Sequence, residues 1–205
     1  MATTMPELTP IRDRAFFEQE DVVKMAQDIL GLLLARRMGP KVVRLLITET
    51  EAYRGYDDRA SHAANGRRTP RTEVFFKEGG HAYVYLCYGV HWLFNIITNK
   101  AGHPDAVLIR GGILLDESNG EHLPLCGPGK VTKAMKINGM YNGLDLTSSD
   151  EIWLEQGPEL PLKFEATPRI GVAYAGPDAL NPWRFFVSPR LALTCVQEAF
   201  YGLKP

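Results

Sequence analysis

Segments of strand character follow one another along most of this chain, with few helices between them. That order restricts the fold more than any other feature. Residues 42–53 are rich in β-branched side chains, and 106–115 form another apolar run. Residues 81–87 and 91–98 flank Tyr88-Gly89-Val90, a candidate hairpin with an aromatic tip. Shorter β-type stretches follow at 151–154, 168–173 and 185–187. Parallel neighbours need long crossovers, usually helical, so a regular βαβ architecture is disfavoured. The expected fold is α+β: one β-rich domain over residues 1–205, with a mixed or antiparallel curved sheet flanked by helices and a protruding β-hairpin.

Two helices are expected. Apolar residues at Val22, Met25, Ile29, Leu32 and Leu33 approach helical spacing over 21–37, with Asp21 as N-cap and Gly39-Pro40 as the stop. A shorter helix opens after Gly127-Pro128-Gly129 and covers about 130–137. Residues 1–15, with Pro6 and Pro10, are expected to form an N-terminal arm. No internal repeat or long linker divides the chain.

Hydrophobic residues make up 45% of the 205, enough for a well-buried core. The most apolar stretch, 29–35, is too short to span a bilayer. The first residues lack the pattern of a secretory leader, so a soluble intracellular protein is expected. Cys87, Cys126 and Cys195 are widely separated and lack zinc-ligand spacing, and they are expected to be reduced thiols. A net charge of −1 provides no global attraction for nucleic acid, so any such partner must be held by a local basic face.

Three groups of residues carry possible chemistry. Alternation along a strand puts Glu49, Glu51 and Tyr53 on one face, and two carboxylates beside a phenol suit acid–base work. Spacing does not choose between the two glutamates, and the same pattern fits a solvated strand face. Tyr83 and Tyr85 share a face of the next strand. Tyr88, at the tip, could wedge into a distorted duplex. The loop after Tyr53 holds Arg54, Arg59, Arg67, Arg68 and Arg71 around His62, a candidate phosphate-binding surface. Gly127-Pro128-Gly129-Lys130 lacks the full phosphate-loop pattern, but it suits a helix start that faces a phosphate.

Taken in order, these residues resemble a known family. Glu49-Thr50-Glu51-Ala52-Tyr53, Arg59-Ala60-Ser61-His62, Arg68-Thr69-Pro70-Arg71, Tyr83-Val84-Tyr85, Tyr88-Gly89 and Asn95-Ile96 are similar to the alkyladenine (3-methyladenine) DNA glycosylases of bacteria and mammals. Gly127-Pro128-Gly129-Lys130, Ile152-Trp153-Leu154-Glu155, Arg169-Ile170-Gly171-Val172 and Trp183-Arg184-Phe185-Phe186-Val187 continue the series. The stretch from Asn95 to Arg110 runs slightly longer than in the mammalian pattern, and the short N-terminal arm fits a bacterial member.

The resemblance implies a monofunctional glycosylase of base excision repair, one that flips out and hydrolyses alkylated or deaminated purines from double-stranded DNA. It implies Glu51 as general base and Arg110 as a holder of the catalytic water. It implies Tyr53, His62 and Tyr85 as walls around the base, with the backbone at Ala60 and His62 on the purine edge. Asn95 would crowd a guanine 2-amino group, and a main-chain carbonyl at Val172 would touch the water. Tyr88 would fill the gap in the duplex. Arg67, Arg68, Arg71, Lys130 and Lys133 would hold the DNA backbone, joined by Arg54 on one basic face. No metal and no cofactor is expected, and neither is a membrane partner. A cytoplasmic, nucleoid-associated monomer is the expected state. The alternatives are a non-catalytic damage-binding protein on the same scaffold and a carbohydrate glycosidase using Glu49 and Glu51 as a pair. The second leaves the arginine loop and the aromatic tip unexplained.

Overall fold

The computed structural model describes residues 8–115, 122–160 and 163–202. Strands β1 (Leu33–Met38), β2 (Lys41–Tyr53), β3 (Ala82–Cys87), β4 (His91–Thr98) and β5 (Asp105–Leu115) build most of a sheet. It is completed by β6 (His122–Cys126), β7 (Ile152–Glu155), β8 (Glu165–Thr167) and β9 (Arg184–Phe186). The path β3-β4-β5-β2-β1-β7 runs through the sheet, with β6 on β5 and β9 on β2, and β8 beyond β9. The ladders are antiparallel. This is the β-rich α+β fold expected from the strand order.

The two long strands β2 and β5 form the centre, and each changes its outer partner midway. β2 pairs with β1 as far as Leu46 and with β9 from Glu49. β5 pairs with β4 up to Leu108 and with β6 from Gly111. At this seam the β2–β5 register shifts twice, leaving Thr48 and then Arg110 without an opposite partner. Such bulges bend a strand and redirect its side chains. Gly112 belongs to the same seam. A Cβ there would lie 2.4 Å from the Leu46 carbonyl oxygen, so only glycine permits the approach.

The bulges also reverse the alternation. Ile47, Thr50 and Ala52 all face α2 (Val22–Asp28): Ile47 and Ala52 join its core, and the Thr50 hydroxyl donates to the Ala26 carbonyl at 2.7 Å. A strand of unbroken period two would put residues 47 and 50 on opposite faces. The extra residue at Thr48 instead sends Glu49, Glu51 and Tyr53 to the other side. The main core lies between the sheet, α2 and α3 (Pro128–Ala134), and a smaller cluster packs α4 (Pro189–Tyr201) against Leu33, Leu46, Ile113 and Leu115.

Several expectations need correction. The helix expected over 21–37 ends at Asp28. Its N-cap is Asp21, as read, but Gly31 adopts φ +87 and breaks the turn. Leu33–Met38 then becomes a strand, because Leu34 and Leu33 bury on opposite faces of a sheet that β2 provides. Gly39-Pro40, expected to stop a helix, turns a hairpin. Residues 168–173 are not a strand: Arg169 turns inward to an ion pair, and a 3-10 segment Ala173–Leu180 follows. Of the N-terminal arm, residues 1–7 lie outside the described residues. The rest docks on β7 through Ile11 N–H to the Leu154 carbonyl, then forms α1 (Arg14–Phe17). β6 and α4 were not foreseen, although Pro189 at the start of α4 and Gly202 at its end are ordinary helix signals. Among the described residues, no helix is long and apolar enough to cross a membrane.

Candidate active site

Strand register puts a row of side chains on one face of the sheet. Tyr83 pairs with Asn95, Asn95 with Leu108, and Leu108 with Glu51. Directly paired residues point the same way, so Glu51, Asn95 and Tyr83 line one side, and Tyr85 follows two residues along β3. The opposite face is filled by the main core. The fold therefore gathers onto one surface residues that are far apart in sequence.

The two glutamates are not equivalent. Glu49 Oε1 accepts from Arg110 Nε at 2.9 Å and from Arg184 Nε at 2.6 Å. Two guanidiniums therefore hold one oxygen of Glu49. Glu51 is fully buried, and its oxygens divide their partners. Oε1 accepts the Ile170 N–H at 2.9 Å and faces Arg110 Nε at 3.5 Å, while Oε2 accepts the Tyr53 hydroxyl at 2.7 Å. Burial pushes the Glu51 pKa above the ordinary carboxylate value, outweighing the opposing pull of Arg110, the Ile170 N–H and Tyr53. Arg110, the residue left unpaired at the second register shift, has its guanidinium within reach of both carboxylates.

Tyr53 is held from behind. Arg169 sits over its ring, 4.8 Å from the centroid, and is buried with Asp58 in an ion pair. Its Nη2 reaches Asp58 Oδ1 at 2.8 Å, and its Nη1 donates to the Ala52 carbonyl at 2.8 Å. Tyr53 packs on Ala60, Val172 and Ala175. The Ala60 N–H is bound to Asp58 Oδ1 at 3.0 Å, and the Ala60 carbonyl accepts the Tyr174 hydroxyl at 3.0 Å. The Val172 carbonyl accepts the Ala175 N–H at 2.9 Å.

Across from this cluster, His62 stands edge-on to Tyr85 with centroids 4.6 Å apart, and its Nδ1 bonds the Tyr83 hydroxyl at 3.0 Å. Burial, with Arg71 and Arg67 nearby, lowers the His62 pKa to about 4, so the ring is neutral at pH 7. Arg71 lies over the Tyr85 ring at 5.1 Å. Asn95 is buried and donates to the Tyr83 carbonyl at 3.1 Å.

Tyr88 is 93% exposed at the hairpin tip with φ +50, and Val90 beside it is also exposed. The basic candidates lie on three separate segments. Arg67, Arg68 and Arg71 belong to the exposed loop on the Tyr85 side, where Arg68 pairs with Glu73. Lys130 and Lys133 are exposed on α3, which packs behind the opposite face: the Thr132 hydroxyl donates to the Trp92 carbonyl at 2.7 Å. Arg54 pairs with Asp57 and lies over Trp183. Among the described residues, no group of three or more His, Cys, Asp or Glu is placed to hold a metal ion.

Sequence reasoning missed the Ile170 N–H, the Arg169–Asp58 pair, Arg184 and Tyr174. Arg169, Ile170 and Arg184 stand inside runs that carried the resemblance, but nothing in their spacing tied them to Glu49, Glu51 or Asp58.

A family model described as methylpurine-DNA glycosylase matches residues 15–190. A protein of Methanocella arvoryzae named "Putative 3-methyladenine DNA glycosylase" is 43% identical over 187 residues, covering 86% of this chain and 92% of its own. Proteins with the same name from Borreliella afzelii and Chlamydia felis are 41% and 38% identical, each covering 85% of this chain.

Proposed function

This chain belongs to the methylpurine-DNA glycosylase family, and we propose that it flips damaged purines out of duplex DNA and hydrolyses their bond to deoxyribose, with Glu51 as general base. The observation that carries this reading is Glu51 itself, a buried carboxylate between Tyr53, the Ile170 N–H and Arg110.

A base inside a duplex is out of reach, so the target nucleotide must leave the stack. Tyr53 on one side and His62 with Tyr85 on the other are the proposed walls, with the Ala60 and His62 backbone on the purine edge and Asn95 against a guanine 2-amino group. An alkylated purine is electron-poor and often cationic, and a cation over a tyrosine face gains roughly 0.5–2 kcal/mol. His62 supports this only as a neutral ring, which its lowered pKa provides.

In the reaction, water gives a proton to Glu51 as its oxygen bonds to C1′ of the sugar. The bond from C1′ to the base breaks, and the electron pair leaves with the purine, neutralising a cationic lesion. Before the proton moves, ionised Glu51 also stabilises positive charge growing on the sugar. Arg110 and the Val172 carbonyl are the proposed holders of the water. Glu51 is fully covered in the free protein. The groups on Glu51 are a phenol, an amide and a guanidinium. A guanidinium stays protonated and makes no Schiff base, so hydrolysis without strand cleavage is the expected course. Tyr88 is the proposed wedge, with Arg67, Arg68, Arg71, Lys130 and Lys133 on the DNA backbone.

The test is Glu51→Gln. Excision from methylated or hypoxanthine-containing duplexes, read on a gel after alkali, is expected to fall about 10²–10⁴-fold, with binding to abasic-mimic DNA retained. Near-normal excision by this variant would remove Glu51 from the mechanism. Strand cutting without alkali would show lyase chemistry instead.

A further inference from the structure

Tyr174 is built into the site without a role in the reading above. The residue is 69% exposed, which is unusual for so large a side chain. Its hydroxyl nevertheless crosses the fold to donate to the Ala60 carbonyl at 3.0 Å. That carbonyl belongs to a residue only 2% exposed, packed with Tyr53, Val172 and Ala175. Through Ala60, which packs with Tyr53, the hydroxyl adjoins one wall of the proposed pocket.

We propose that the Tyr174 hydroxyl is an exchangeable donor on the Ala60 carbonyl, which lets one pocket take purines carrying either an amine or an oxygen at position 6. This rests on the reading that the Ala60 backbone faces the purine edge. A 6-amino purine brings its own N–H to the carbonyl. The phenol is then displaced or shares the oxygen, which has two lone pairs, and an exposed phenol is easily rehydrated. A 6-oxo purine brings no donor there. Without Tyr174 its oxygen would face a buried carbonyl with no partner, a costly arrangement. With Tyr174 the phenol stays, and the carbonyl remains satisfied. Tyr174 is thus a specificity-determining residue that broadens the substrate class to 6-oxo purines.

Tyr174→Phe removes the hydroxyl and keeps the exposed ring. Methylated duplex DNA supplies both chemistries at equal charge: 3-methyladenine carries the amine and 7-methylguanine the oxygen. Release of each is followed by chromatography under single-turnover conditions, with a hypoxanthine duplex as a neutral 6-oxo control. The expected result is a loss of about tenfold for 7-methylguanine and hypoxanthine relative to 3-methyladenine, the scale of one buried unsatisfied acceptor. An equal change for all three lesions, or none, overturns the proposal while leaving the glycosylase reading intact. A fall for 7-methylguanine alone also overturns it, because hypoxanthine shares the 6-oxygen. Absence of base release by the unaltered protein from every lesion overturns the glycosylase reading and this proposal together.

Discussion

Glu51 carries its negative charge at a cost, because the fold surrounds it completely and only partly replaces water. The unfolded carboxylate releases its proton near pH 4.3, and the folded one holds it to a higher pH. Stability therefore falls as pH rises between those two values, and the penalty is constant above them. Activity has the opposite sign under the proposed mechanism, since a general base must be ionised. The acid limb of kcat/KM is expected above the ordinary glutamate range, and a limb near pH 4 would contradict the burial of Glu51. In thermal melts, Glu51→Gln is expected to be more stable than the parent at pH 7, with the gain vanishing below about pH 4. His62 titrates separately. Its folded pKa of about 4 lies below the unfolded value near 6.5, so it removes stability as pH falls through that interval. The comparison with Glu51→Gln cancels this contribution because both proteins carry His62. At this scale the sequence showed which types of residue share a face. It did not show that Glu49 would be occupied by two arginines.

The β2–β5 pair is the element that makes the site possible. Its bulges at Thr48 and Arg110 turn Glu49, Glu51 and Tyr53 away from the α2 core and insert a guanidinium beside them. Gly112 keeps the strands close at this seam, with no room for a Cβ against the Leu46 carbonyl and Leu45 side chain. Both obstacles are in the partner strand, and the backbone oxygen cannot rotate away. Gly112→Ala is expected to cost about 3 kcal/mol in urea unfolding and to reduce base release even where the variant remains folded. An unchanged unfolding midpoint would show that the seam can relax. Alternation over residues 49–53 was legible, as was the hairpin around Tyr88. The reversal at Thr48 was not, because a bulge depends on the partner strand's register. The helix over 21–37 was overextended for a related reason: Leu32 and Leu33 satisfy helical spacing, but β2 offers the following residues a ladder and two apolar faces.

Across the whole molecule, distant segments meet through the Arg169–Asp58 pair. Arg169 reaches Asp58 and the carbonyls of Ala52 and Asp178, while its guanidinium lies over Tyr53 and Trp183. Both charged side chains are fully buried. Removing one partner from such a pair strands the other charge away from water, a loss of about 3–5 kcal/mol. Asp58→Ala is expected to lower stability by that amount, measured by denaturant unfolding. A loss below about 1 kcal/mol, typical of exposed pairs, would show that water reaches Arg169 readily.

The sequence by itself determined the class of fold, because strand segments without intervening helices leave antiparallel pairing as the accessible arrangement. It also determined the ordered residues that mark the family, and most of the side chains now found around Glu51. Tertiary structure decided which glutamate is buried and which is held by Arg110 and Arg184. It decided that Arg110 reaches them, that Ile170 supplies an N–H, and that Tyr174 occupies the Ala60 carbonyl. Local sequence fixes side-chain direction only along an unbroken strand. Burial, electrostatic pairing and bulges arise between segments, and their energies exist only once those segments have met.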